Sequence, residues 1–120
     1  MIEEFAAALA VMLKKKEDER DDSLRELYRQ YVGDYTLVRN MSVDELIGYA
    51  ANEWNDEERI DRLEMVAELL YAEGSYKTNP LRNMLLEKAY LLFAYVDEKQ
   101  SVYSIERKTK IAKLHIILHE

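Results

Sequence analysis

Two histidines near the end of the sequence have the spacing of a metal-binding pair. His115 and His119 are the only histidines, and Glu120 follows them. A separation of four residues places both imidazoles on one face of a helix, a geometry that can hold a divalent cation, although the sequence fixes no third ligand nearby. The alternative interpretation is an ordinary helix end, where the helix dipole favours positive charge. The pair therefore predicts either candidate metal ligands or a favourable last turn.

Carboxylates are dense in the middle of the chain. Paired carboxylates can act as acid and base or hold metal ions. Helical di-metal sites combine them in Glu-x-x-His motifs, but the positions three residues before the histidines are Ala112 and Ile116. We therefore expect no enzyme here, and a solvated acidic face that selects basic partners. The acids in question are Asp44, Glu45, Glu53, Asp56, Glu57, Glu58, Asp61, Glu64, Glu68 and Glu73.

Nine tyrosines supply a third kind of candidate. Tyrosine combines an apolar ring with a polar hydroxyl, so it suits both the margin of a core and a protein interface. Tyr90 and Tyr95 fall on the second apolar stripe of one predicted helix, a side that needs cover from the last helix or from another chain. Tyr76 lies at the corner before that helix. These three tyrosines are the predicted binding residues.

Composition limits the possible partners and compartments. The net charge of −7 lies in residues 1–60, which hold 15 acids and 8 bases, and an acidic surface repels phosphate backbones, so we expect no nucleic acid partner. The bases Arg107, Lys108, Lys110 and Lys113 are expected on a solvated helix face. Cysteine is absent, and the N-terminal apolar run precedes its lysines, the reverse of a secretory signal, and is too short to span a bilayer. We expect a cytoplasmic location, no membrane contact and, without a phosphate-binding loop, no cofactor.

The sequence predicts that the segments carrying these residues are helices. Abundant Leu, Ala, Glu, Lys and Arg with one Pro and three Gly favour long helices over strands. Capping boxes are predicted at Ser23 with Glu26 and at Ser42 with Glu45, and Gly33 and Gly74 are predicted to end helices. Asn79 and Pro80 are predicted to open the next helix, with Pro80 in the first helical position. The expected helices are about 2–16, 23–33, 42–51, 57–73, 80–96 and 102–118, with loops at 17–22 and 34–41.

The corner around Gly74 resembles a tetratricopeptide repeat. Its first helix carries apolar and small residues at the spacings of that repeat, and the second helix has a small residue three positions after an apolar one. About three extra residues at 77–80 and the missing closing proline depart from the pattern. The alternative is a generic helical hairpin. The matching positions are Leu63, Val66, Ala67, Leu70, Gly74, Tyr76, Leu86 and Ala89.

The wider layout is similar to a family of short bacterial proteins of unknown function with a helical, tetratricopeptide-like C-terminal half. Four segments carry the resemblance: 1–10, 24–33, 41–47, and the pair 67–74 with 86–93. That family brings no catalytic residues to transfer.

These observations predict an all-α protein of five or six helices. We expect a single domain over residues 1–120, with N-terminal helices in about 1–55 and an antiparallel tetratricopeptide-like array in about 56–120. The expected function is a non-enzymatic protein-interaction module. The alternatives are a structural homodimer formed through the N-terminal helix and a small metal-binding protein or metal-dependent enzyme.

Overall fold

The described part of the chain is helical. The computed structural model describes the backbone of residues 2–119 and the side chains of residues 3–119. The all-α prediction is confirmed, with seven helices in this range where five or six were expected. The helices are α1 (Ile2–Leu13), α2 (Glu17–Tyr31), α3 (Tyr35–Arg39), α4 (Val43–Glu53), α5 (Asp56–Tyr76), α6 (Leu81–Lys99) and α7 (Ile105–Leu118).

Helix α5 lies at the centre of the packing. It contacts α1, α2, α4 and α6, while α7 packs mainly against α6. Its apolar residues recur on more than one side: Leu63 and Val66 are fully buried on one face, and Met65 and Leu69 are buried on another. One continuous cluster of buried apolar side chains includes residues from every helix. A helix apolar on several sides is the element around which the others pack.

The starts of two helices show which capping predictions hold. At Ser42 and Glu45 the capping box is confirmed, since each side chain accepts a hydrogen bond from the other's backbone N–H. The predicted box at Ser23 is wrong, because α2 already begins at Glu17 and Ser23 lies inside it. Three acids in the first turn favour this early start through the helix dipole. The Ser23 hydroxyl instead accepts a hydrogen bond from Lys15.

The two corner glycines have different roles. Gly33 follows α2 with φ of +137°, a conformation that other residues resist, so its predicted role as a helix terminator is confirmed. The prediction for Gly74 is wrong, because α5 continues through it to Tyr76. Gly74 is buried, and a Cβ added there would lie 2.7 Å from Cδ2 of Leu86. Its missing side chain lets α6 approach α5 closely.

A short helix replaces the loop expected at residues 34–41. The Asp34 side chain caps α3 by accepting a hydrogen bond from the N–H of Leu37. From α3, the Arg39 guanidinium and the Tyr35 hydroxyl both donate to Glu73, whose side chain is 1% exposed. The arginine Nη2 lies 2.8 Å from a Glu73 oxygen, and the hydroxyl oxygen lies 3.0 Å away. This pairing neutralises a charge that the expected acidic face would have left in solvent.

Three other predicted helix ends are shifted. Helix α1 stops at Leu13 and not at Lys16, and α7 starts at Ile105 because Ser104 caps it through the N–H of Arg107. Pro80 sits one position before α6 and not within its first turn. The Asn79 side chain still accepts a hydrogen bond from the N–H of Asn83, so the predicted start of this helix is close.

Replacing Gly74 by alanine tests the close approach of α5 and α6. Alanine favours a helix interior by about 0.5–1 kcal/mol, but overpacking a core costs about 1–3 kcal/mol. We expect Gly74→Ala to lower the free energy of unfolding by about 1 kcal/mol in urea denaturation. Gly48→Ala is the matched control, because no atom lies within 4 Å of a Cβ added to Gly48 in α4. Stabilisation by both substitutions would contradict the crowding at Gly74.

Replacing Arg39 by methionine tests the buried ion pair. Loss of the guanidinium leaves the Glu73 carboxylate buried beside Tyr35 alone, which we expect to lower the free energy of unfolding by about 3–5 kcal/mol. A double variant, Arg39→Met with Glu73→Leu, should recover most of that loss, because no isolated charge remains. Arg29→Met is the control, since its pair with Glu26 is exposed and should matter little. An equal loss in the single and double variants would show that the charge is not the cause.

Candidate functional site

A cleft opens where α1, α5 and α7 meet. Its volume is about 390 Å³, within the range of ligand-binding clefts. Phe5 and Ala6 of α1 and Met65 of α5 form the apolar part of its lining. The remaining lining residues are charged or polar: Glu3, Glu64, Glu68, Ser104, Glu106, Arg107 and Lys110. The cleft thus combines an apolar surface with a carboxylate-rich rim.

A buried arginine builds one wall of the cleft. Arg107 is 4% exposed and donates to Glu64 of α5 and Asp97 of α6, each at 2.9 Å. Its third nitrogen donates to the carbonyl of Val102 in the α6–α7 loop. One side chain therefore ties the start of α7 to α5, to the end of α6 and to the loop between them. Charge-assisted hydrogen bonds of this kind are among the stronger polar contacts in proteins.

The rim of the cleft is electronegative. Burial raises the pKa of Glu68 above its ordinary 4.5; the Lys110 ammonium opposes the shift, and the carboxylates of Glu64 and Glu106 add to it. Lys110 donates to both oxygens of Glu68. Glu3 and Glu106 are exposed and form no ion pair with any residue in the range 3–119. Two carboxylates at the cleft are therefore available to a cation.

Exposed apolar side chains stand beside the cleft. Val102, Tyr103 and Ile105 flank Ser104 at the start of α7, and they are between 66% and 70% exposed. Ser104 itself lines the cleft. Single exposed apolar residues are common, but a group beside an apolar cleft is typical of an interaction surface. The cleft and this group together are called the α1–α7 surface below.

The structure gives the predicted tyrosine Tyr76 an internal role. Its hydroxyl donates to Asp21 of α2 at 3.1 Å, and the guanidinium of Arg20 lies 5.2 Å from the centre of its ring. Lys77 also pairs with Asp21. Burial, with Asp21 beside it, raises the pKa of Tyr76 well above its ordinary value. These contacts hold the end of α5 against α2.

Tyr90 of α6 lies beside the two predicted metal ligands, His115 and His119, at the C-terminal end of α7. Its hydroxyl oxygen lies 3.2 Å from Nδ1 of His115, and the rings of His115 and His119 have centres 4.5 Å apart. Among the described side chains no group of three His, Cys, Asp or Glu residues is placed to hold a metal ion. Glu120, the predicted neighbour of the pair, lies outside the described residues. Two imidazoles and a phenol are therefore brought together here.

Tyr95 lies on α6 apart from this group. It is half-buried, and the Lys99 ammonium lies 5.6 Å from the centre of its ring. Helix α7 supplies cover for the Tyr90 side of α6, one of the two possibilities that the sequence left open. The three predicted tyrosines thus contact different parts of the molecule.

The basic cluster of α7 is largely neutralised, which corrects the expected solvated face. Arg107 is buried, and Lys108 and Lys110 pair with Asp97 and Glu68. Only Lys113 among the four is exposed without an ion pair to a described residue. The sequence reading missed the α1–α7 surface because its lining comes from three segments far apart in the chain. The sequence shows that Glu106 and Lys110 are four residues apart on one helix, but it does not show which acids of α5 that helix packs against.

Acid titration tests the anchoring of α7. Hydrogen bonds from Lys108 and Arg107 hold the pKa of Asp97 below its ordinary 3.8. A lowered carboxyl pKa adds stability that is present above the ordinary value and is lost as the pH falls through the lowered one. Asp97→Asn should therefore cost about 1–2 kcal/mol near neutral pH, and its deficit should shrink as the pH falls below about 4. The measurement is urea denaturation at a series of pH values.

The control for this titration is Asp22→Asn. Asp22 is exposed and makes no side-chain hydrogen bond or ion pair with a described residue, so the variant should follow the wild-type pH profile. A constant deficit for Asp97→Asn at every pH would contradict the ionic origin of the contact.

Comparison with known proteins gives no indication of function, so the α1–α7 surface is the basis for a functional proposal. No family model, curated protein or solved structure matches this chain. Within residues 2–119, every helix is too short or too polar to cross a bilayer.

Proposed function

We propose that this protein is a non-enzymatic interaction module that binds a segment of another polypeptide at the α1–α7 surface. The observation that carries the proposal is the apolar cleft whose rim holds two carboxylates with no ion pair to a described residue, Glu3 and Glu106. Exposed Val102, Tyr103 and Ile105 extend the apolar area beyond the cleft. A buried apolar centre with a polar rim is the usual anatomy of a protein-binding site.

The chemistry of the surface specifies the partner segment. An apolar side chain of the partner fits against Phe5, Ala6 and Met65, and a lysine or arginine beside it meets Glu3 and Glu106. A phosphate backbone would be repelled by the same carboxylates, so the proposal excludes nucleic acid. The ionised groups within the wall bind one another, which gives them a structural role in place of acid–base chemistry.

Two finer expectations from the sequence belong to this proposal. The tetratricopeptide-like arrangement of α5 and α6 is supported by the small residues Ala67, Gly74 and Ala89, which are all buried. Small residues at such positions let neighbouring helices approach closely. The same proposal places the protein in the cytoplasm.

Metal binding through His115 and His119 has less support. The imidazoles are close enough to share a cation, but Tyr90 occupies Nδ1 of His115 with a hydrogen-bonding contact. A tight site in a protein generally needs three or four ligands, and the described side chains bring only two of the usual kind together here.

A selected-peptide experiment tests the proposed function. A displayed library of random peptides is panned against the wild-type protein alone, and the peptides that bind it are then measured against the Ala6→Trp variant. Ala6 is exposed and lines the cleft, so an indole there fills the site with little effect on the core. We expect selected peptides to share an apolar residue next to lysine or arginine. Calorimetry should show binding to the wild type that Ala6→Trp weakens at least about tenfold, or by 1.4 kcal/mol.

The matched control is Ala7→Trp. Ala7 is also exposed on α1 but does not line the cleft, so this variant should bind the selected peptides like the wild type. Peptides that bind both tryptophan variants equally, or a library that yields no basic binder, would refute a cleft-based function.

A further inference from the structure

We infer that the segment bound at the α1–α7 surface comes from a second copy of this chain. This inference rests on the proposed function and names its partner: the C-terminal end of α1 with the α1–α2 corner. That end carries exposed Leu13 followed by Lys14, Lys15 and Lys16. An apolar residue next to lysines is the chemistry that the cleft selects. The chain therefore holds both halves of a complementary pair.

The two halves lie on one side of the same helix. Glu3, Ala6 and Leu13 recur along α1 at separations that return to one helical face, and Lys14 directly follows the helix. Glu3 and Ala6 line the cleft, while Leu13 lies on the same face about two turns beyond Ala6. Val11, also exposed, falls on a different side of the helix. A partner that covers the cleft can thus also cover Leu13.

The basic corner is held in a fixed shape by internal contacts. The Arg20 guanidinium donates to the carbonyls of Leu13 and Lys15, and the Lys15 ammonium donates to Ser23. Lys14 and Lys16 remain exposed and have no acidic partner within 4 Å among residues 3–119. Fixing a binding segment before association lowers the entropy lost when it docks. Lys14 and Lys16 are then the charges offered to a partner.

An antiparallel pair of α1 helices satisfies both halves at once. If a twofold axis passes between residues 9 and 10, Leu13 of one copy meets Ala6 of the other, and the corner that follows α1, with Lys14 and Lys16, comes close to Glu3 of the other. The charged corner directly follows Leu13, so the same register serves the apolar and the charged contacts. The contact is isologous, since each copy supplies a cleft and fills one. It closes at two chains and does not propagate into filaments.

Charge reversal with rescue tests this dimer. Sedimentation equilibrium over a dilution series should show a monomer–dimer equilibrium for the wild type. Glu3→Lys alone and Lys16→Glu alone each place two like-charged pairs in the interface, and we expect the dissociation constant to rise about tenfold. Both substitutions in one chain restore opposite charges at each contact and should return the constant to near the wild-type value.

Leu13→Asp and Val11→Asp test the apolar contact in the same assay. Leu13→Asp should abolish the dimer, whereas Val11→Asp, at an exposed position off the proposed interface, should leave it intact. Circular dichroism melts of each variant show whether the fold is kept. If Leu13→Asp unfolds the chain, the dissociation constants of the Glu3 and Lys16 variants, whose side chains are exposed, decide whether the dimer forms as proposed.

The outcomes separate this inference from the function on which it rests. A wild-type monomer up to about 1 mM, or a dimer that ignores the charge reversals, would overturn the second-copy inference. Selected peptides would still bind at the cleft in that case, and the interaction module would stand with another partner. Loss of peptide binding with a persistent, charge-sensitive dimer would point to a purely structural homodimer.

Discussion

The fold depends on the ion pairs that neutralise the buried carboxylates of α5. Glu73 lies on this central helix with almost no solvent contact, where an isolated charge would be strongly destabilising. Arg39 and Tyr35 of α3 supply the compensating cation and hydroxyl, and burial, with the Glu73 charge beside it, raises the pKa of Tyr35 to about 12. Lys88 of α6 in turn donates to the carbonyls of Arg39 and Met41. The Glu73 contacts hold α3 against α5, and the Lys88 contacts hold it against α6.

A second pair on α5 repeats this arrangement on the other side. Glu64 and Glu73 are nine residues apart, which in a helix of 3.6 residues per turn places them on opposite faces. Arg39 reaches one face from α3, and Arg107 reaches the other from α7. In each case a peripheral helix contributes a largely buried arginine, and α5 contributes the acid. Apolar burial supplies the drive for packing, while these pairs fix which peripheral helix meets which face.

Sequence patterns predicted the features that depend on neighbouring residues. The capping box at Ser42 and the turn at Gly33 were correct because their partners lie within five residues. Gly74 looked like the same kind of signal but serves a contact with Leu86, and nothing near it in sequence separates a glycine that ends a helix from one that admits a neighbour. Residues 35–39 looked like a loop because so short a helix has little periodicity, and its stability comes from Glu73, far along the chain.

The candidate site was missed for the same reason, and its origin follows from the buried pairs. Arg107 must reach Glu64 and Asp97, so the start of α7 is held beside α5 and close to the first turns of α1. The ion pairs of Arg107 neutralise part of the positive charge that the sequence predicted on an exposed face of α7. Glu68 neutralises Lys110 in the same way. Glu3 and Glu106 lie in the first turns of α1 and α7, where the helix dipole favours a carboxylate, and neither forms an ion pair with a residue in the range 3–119. The contacts that anchor α7 therefore also leave the rim of the cleft acidic, so the anchoring of α7 and the recognition that we propose would have one physical cause.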